Sequence, residues 1–170
     1  MRQLLAVALI AGVAGPASAQ DPGNELRRIL ETIETMDDAA LSTPYMSARC
    51  GGLYDGVLGY GGGSLPEELR NQYDEAANIF VFASAVMRVE NARASGRGST
   101  DLDANIKQAF LESERFEAIY IERFRTNSDF RGSMLAGDDL AKDDIAFCQE
   151  AFPLIEDVAS KALGRDAMSQ

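Results

Sequence analysis

"SARCGGLYDGVLGYGGGS", residues Ser47 to Ser64, sets one of the chain's two cysteines inside a glycine-rich run. Its reading decides the fold. On a helix, with about 100° between successive residues, Met46, Cys50, Leu53, Tyr54 and Val57 gather on one face. Ala48, Gly52 and Gly59 fall on the opposite side, with Gly56 close by. The glycines therefore do not surround the cysteine; they thin the back of its helix. Glycine inside a helix costs about 1 kcal/mol relative to alanine, so a bare face has two readings. Either another backbone approaches it closely, or a poor helix is simply tolerated. Ala48, Gly52, Gly56 and Gly59 are accordingly a candidate helix-packing or partner face. The segment before it, through Leu26, Ile29, Leu30 and Ile33, is the expected cover, and an external partner is the alternative.

A phosphate cradle is a poor reading of the same letters. "GYGGGS" has no lysine in the P-loop position, no third glycine completes a dinucleotide fingerprint, and no strand precedes it.

Outward from this stretch the helical period recurs. Leu26, Ile29, Leu30, Ile33 and Met36 predict a helix from about Pro22 to Ala40, and the glycine-rich helix begins near Pro44. Ser64 and Glu67 form a capping-box pattern for a third helix reaching about Ala94. Its "IFVFASAVM" is apolar almost all round, the expectation for the most buried helix. A fourth runs from about Asp101 to Asn127. Phe110, Leu111, Ile119 and Ile121 make its apolar surface wider than one seam requires. A fifth runs from Asp138 to about Leu163, with a kink or break at Pro153. No segment alternates like a strand. The expected fold is all-α: an up-down four-helix bundle plus an extra N-terminal helix.

Cys148 lies mid-stripe in the last helix, among Ala141, Ala151, Phe152 and Ile155. First and last helices of such a bundle are antiparallel neighbours, so a Cys50–Cys148 disulfide joining them is predicted.

The compartment follows from the N-terminus. Arg2, the apolar run Leu4 to Gly15 and the small residues Ala17 and Ala19 predict a cleaved Sec-type signal peptide at residues 1–19. The apolar run is too short to span a bilayer. A single helical domain over residues 20–170 remains, periplasmic or secreted, where disulfides persist. Removing Arg2 from 16 basic residues, against 27 acidic ones, leaves the mature chain at −12. That charge repels nucleic acid and anionic membranes. Histidine is absent, and with it the commonest general base and transition-metal ligand. Neither a cofactor nor a metal is expected.

Two acidic stretches remain. "DLDANIKQAFLE", Asp101 to Glu112, resembles a calcium loop, but Ile106 stands where glycine must make the turn. It reads as a helix start with acids at the positive end. "GDDLAKDD" supplies Asp139, Asp143 and Asp144 as weak acidic candidates. Asp139 and Asp143 fall on a solvated stripe. Asp144 falls near the Cys148 face, where burial demands an arginine or hydroxyl donor.

The functional expectation is an exported binding or interaction module for a partner protein or small apolar ligand. Two alternatives stand beside it: a carboxylate-dependent enzyme acting on a cell-envelope glycan, which needs two acids of unlike pKa across a cleft, and a periplasmic holdase, which needs an exposed apolar concavity.

Overall fold

The computed structural model describes residues 39–168. The predicted signal segment lies outside them, as does the predicted helix from Pro22 apart from its last two residues. Four α-helices follow in order: α1 (Ala39–Gly61), α2 (Glu67–Ser95), α3 (Leu102–Arg131) and α4 (Asp139–Met168), with a 3-10 turn at Gly62–Ser64 after α1. No strand occurs among the described residues.

The helices run up, down, up, down. The Ser47 hydroxyl donates to the Phe80 carbonyl (2.7 Å) and Ser84 to the Pro44 carbonyl (2.6 Å), which sets α2 antiparallel to α1. Gly52 faces Phe116 and Gly56 faces Tyr120, so α1 and α3 run parallel. The Cys50–Cys148 disulfide, with its Cα atoms 5.5 Å apart, joins α1 to α4 as the apolar stripes predict.

In a square bundle of this topology α1 and α3 would stand on a diagonal. Here they touch, and the glycines are the reason. A Cβ on Gly52 would collide with the Ser113 carbonyl oxygen and lie 2.5 Å from Phe116 Cβ; one on Gly56 would lie 2.7 Å from Tyr120 Cβ. Side-chain carbons do not approach so closely, so the two backbones meet only because Cβ is missing. The thin face of α1 is thus covered by α3. This corrects the expectation that the segment before α1 would fill it: the space beside Gly52, Gly56 and Gly59 is taken by Ser113, Phe116, Tyr120 and Ile121. Ala48, on the same side, is fully buried.

The same contact moves the centre of the molecule. Ser47 to Tyr54 are buried without interruption, on every face of α1. The apolar segment of α2 is not the most enclosed one, since Ile79, Phe82 and Met87 stay partly exposed. Small residues, more than large apolar ones, let a helix be surrounded. The core spreads from α1 through Leu53, Phe80, Phe116, Tyr120 and Phe124 to Ala141 and Cys148. On α3, Ile119 is buried and Ile121 half-buried, whereas Phe110 and Leu111 are about half exposed (49% and 53%).

Helix ends differ from expectation in detail. α1 starts at Ala39 and passes through Pro44. Proline removes one backbone donor, and here the proline is buried against α2 with its carbonyl taken by Ser84. α2 begins after Pro66 rather than at a Ser64 cap. The Ser64 hydroxyl instead donates to the Gly61 carbonyl inside the 3-10 turn. α3 starts as predicted: the Asp101 carboxylate accepts the Ala104 N–H (3.2 Å), and Ile106 sits in regular helix. α3 ends on Gly132 at φ +80°, a backbone conformation that favours glycine. α4 continues through Pro153 without a break.

Candidate functional site

Two polar features deserve a functional reading: a sealed charge cluster in the core, and a groove beside it.

The cluster is built by three helices. Arg49, next to Cys50 on α1, is only 2% exposed. Its Nε donates to the Tyr120 hydroxyl of α3 (3.1 Å), and its guanidinium pairs with Asp144 of α4. The Tyr120 hydroxyl donates in turn to Asp144 Oδ2 (2.6 Å). Asp144 therefore has the donors its burial demanded, one arginine and one hydroxyl. Burial alone would lower the Arg49 pKa, but Tyr120 and Asp144 reverse that and raise it, so the guanidinium stays charged. Burial drives the Tyr120 phenol far above its ordinary value, opposed by Arg49 and reinforced by Asp144; it is a neutral donor. Arg49 and Asp144 are both buried, and Phe124 stacks on Tyr120, so the pair offers little surface to a substrate.

The sequence placed Asp144 correctly but missed Arg49 and Tyr120. A signal existed. Arg49 adjoins Cys50, and Asp144 precedes Cys148 by one helical turn, so a disulfide between the cysteines brings opposite charges together.

The other acidic candidates stay apart. Asp139 is exposed and pairs with Lys142 (3.1 Å), and Asp143 is exposed. Asp138, just ahead of α4, is the structural acid there. It accepts the Ala141 N–H (3.1 Å) and the Asn127 amide (2.8 Å) and pairs with Arg123. Burial pushes its pKa up, but Arg123, the Ala141 N–H and Asn127 outweigh that and hold it below the ordinary carboxylate value. On the far side of α1, Asp55 is half-buried and faces Glu117 and Asp74. Burial, then those two carboxylates, push it up to about 6. Among the described residues no group of three or more acids or cysteines is arranged to hold a metal ion.

The groove lies where α4 rests on α2 next to the disulfide. It encloses about 370 Å³ and is lined by Tyr54, Gln72, Tyr73, Glu75, Ala76, Gln149, Phe152 and Glu156. Its position follows from the packing. Phe152 meets Phe80 at a ring separation of 5.8 Å, and Tyr54 stacks on Phe80 (5.8 Å) and leans on Tyr73 (5.4 Å). Aromatic side chains thus brace α4 away from α2 and leave a trough between them. Tyr54 is 8% exposed, and its hydroxyl, which opens into the groove, has no hydrogen-bond partner among the described residues. Burial, then Tyr73, raises its pKa, which keeps it protonated. Gln72, Glu75, Gln149 and Glu156 are exposed at the rim and likewise unpaired among the described residues. A second hollow of about 400 Å³ lies further along the same seam, where Lys161 pairs with Asp157.

The sequence singled out Tyr54 only as part of a core stripe and did not find the groove. Its residues come from three helices, α1, α2 and α4, the last distant in the sequence from the other two.

No protein-family model, no curated protein and no solved structure matches this chain.

Proposed function

We propose that the protein is an exported helical module that binds a small ligand in the groove between α2 and α4. The observation that carries this reading is the Tyr54 hydroxyl: without a partner among the described residues, it lines a cavity that also carries the Tyr73 and Phe152 side chains and a polar rim. A bound acceptor can take the hydrogen bond that water otherwise makes at this groove-facing donor. The volume falls at the small end of ligand sites, which suits a small molecule better than the broad apolar concavity of a holdase. Export is supported by the Cys50–Cys148 bridge, which fits an oxidising compartment, and by the leader-like residues 1–19. Among the described residues no helix is long and apolar enough to cross a membrane.

Binding is favoured over carboxylate catalysis by the surroundings of the buried acid. Asp144 is tied up by Arg49 and Tyr120 inside the core, and Asp55, whose pKa is raised beside Glu117 and Asp74, is not on the lining of the groove.

The test is amide and aromatic NMR shift mapping of the mature protein with a panel of small amphiphiles. Shifts concentrated on Tyr54, Tyr73, Gln149 and Phe152 are expected. Shifts confined to the exposed Phe110–Leu111 face of α3, or none with any compound, would overturn the reading.

A further inference from the structure

We infer that the groove takes a small organic cation of the alkylammonium class that also carries a hydrogen-bond acceptor; this rests on the binding reading above. Three things on its walls point the same way. The rings of Tyr54, Tyr73 and Phe152 line it from three sides, and aromatic faces attract cations, most of all alkylated ammonium groups that shed water easily. Glu75 and Glu156 supply negative charge, with no lysine or arginine on the lining and no ion-pair partner among the described residues. The second hollow along the same seam makes the contrast, because there Lys161 already neutralises Asp157. Last, the Tyr54 hydroxyl lines the groove as a protonated donor with no acceptor among the described residues. A cation alone leaves that donor to water; a hydroxyl or carbonyl oxygen a few bonds from the ammonium accepts its hydrogen. An anionic ligand meets two carboxylates, and a purely apolar one leaves both the acids and the phenol unanswered.

The probes are choline and dimethylbutanol, the neutral alcohol in which carbon replaces the ammonium nitrogen. Shape and hydroxyl are kept, and only the charge differs. Binding is read by NMR titration of the groove resonances. Choline is expected to bind saturably and about tenfold more tightly than the alcohol. Glu75→Gln with Glu156→Gln is expected to weaken choline about fivefold and leave the alcohol unchanged, and both residues are exposed, so the fold is retained. Tyr54→Phe is expected to weaken both probes alike. Equal binding of the two probes would overturn the cation assignment and leave a groove that binds neutral ligands. Absence of groove shifts with choline, when members of the amphiphile panel still produce them, would likewise overturn the cation assignment alone. No groove shifts with any compound would end the binding reading as well.

Discussion

Arg49 shows how a single residue can stabilise a fold only through its partners. A guanidinium taken into a core is costly, and the cost is recovered through Asp144 and Tyr120. Asp144→Leu should therefore cost about 3–5 kcal/mol in urea unfolding, because it strands the Arg49 charge. Arg49→Met combined with Asp144→Leu should recover most of that loss. A double variant no more stable than Asp144→Leu alone would mean that the pair contributes more than mutual neutralisation. Asp55 poses the opposite case. Its folded pKa is raised to about 6 from 3.8. Below pH 4 both states are protonated and the group contributes nothing. Between about 4 and 6 the unfolded chain loses the proton first, so stability falls as pH rises, and above 6 the full cost remains. With partial exposure discounted, that cost is about 1–2 kcal/mol. Asp55→Asn should stabilise the protein at pH 7 by that amount and not at pH 3.5. An equal effect at both pH values would assign the gain to something other than ionisation.

At the scale of an element, α1 is governed by what it lacks. Alanine is the better helix former by about 1 kcal/mol, so propensity alone predicts that Gly52→Ala stabilises. The Cβ, however, meets backbone at Ser113 and the root of the Phe116 side chain, neither of which yields easily. Overpacking of this kind costs about 1–3 kcal/mol, and the net effect should be destabilising. A gain in the urea midpoint would mean that α1 and α3 do not touch there. The helical period marked this glycine face in the sequence, along with the stripe bearing Cys50. It did not mark the element that fills the face. The segment just before α1 is close in the chain and apolar at the right spacing, whereas α3 carries large residues at its contact. Only the three-dimensional fit shows that Ser113 presents backbone where Gly52 has no side chain. Ser64 misled for a similar reason: the pattern S-x-x-E was present, but Pro66 set where the helix begins.

Across the whole molecule, α4 is the loosest helix by packing and the most firmly fastened by chemistry. It rests on α2 through Phe152, is bridged to α1 at Cys148, and is pinned by Asp144 at the next turn. Closing a loop of the size between Cys50 and Cys148 stabilises by about 4–5 kcal/mol at most. The bridge was legible in the sequence because both cysteines sit on apolar stripes. The groove was not, because it is a gap and a gap has no periodicity. Its existence depends on α4 being held where the bridge and the ion pair place it, and the functional claim depends on the groove. Gln149→Trp tests that claim most directly. Gln149 is exposed on the groove's rim, so a tryptophan there fills the trough without entering the core. The measurement is ligand-induced NMR shift at Tyr54, Tyr73 and Phe152 in the variant, with its urea midpoint recorded alongside. The account predicts that those shifts vanish while the midpoint holds. A variant that binds as the wild type does would contradict it.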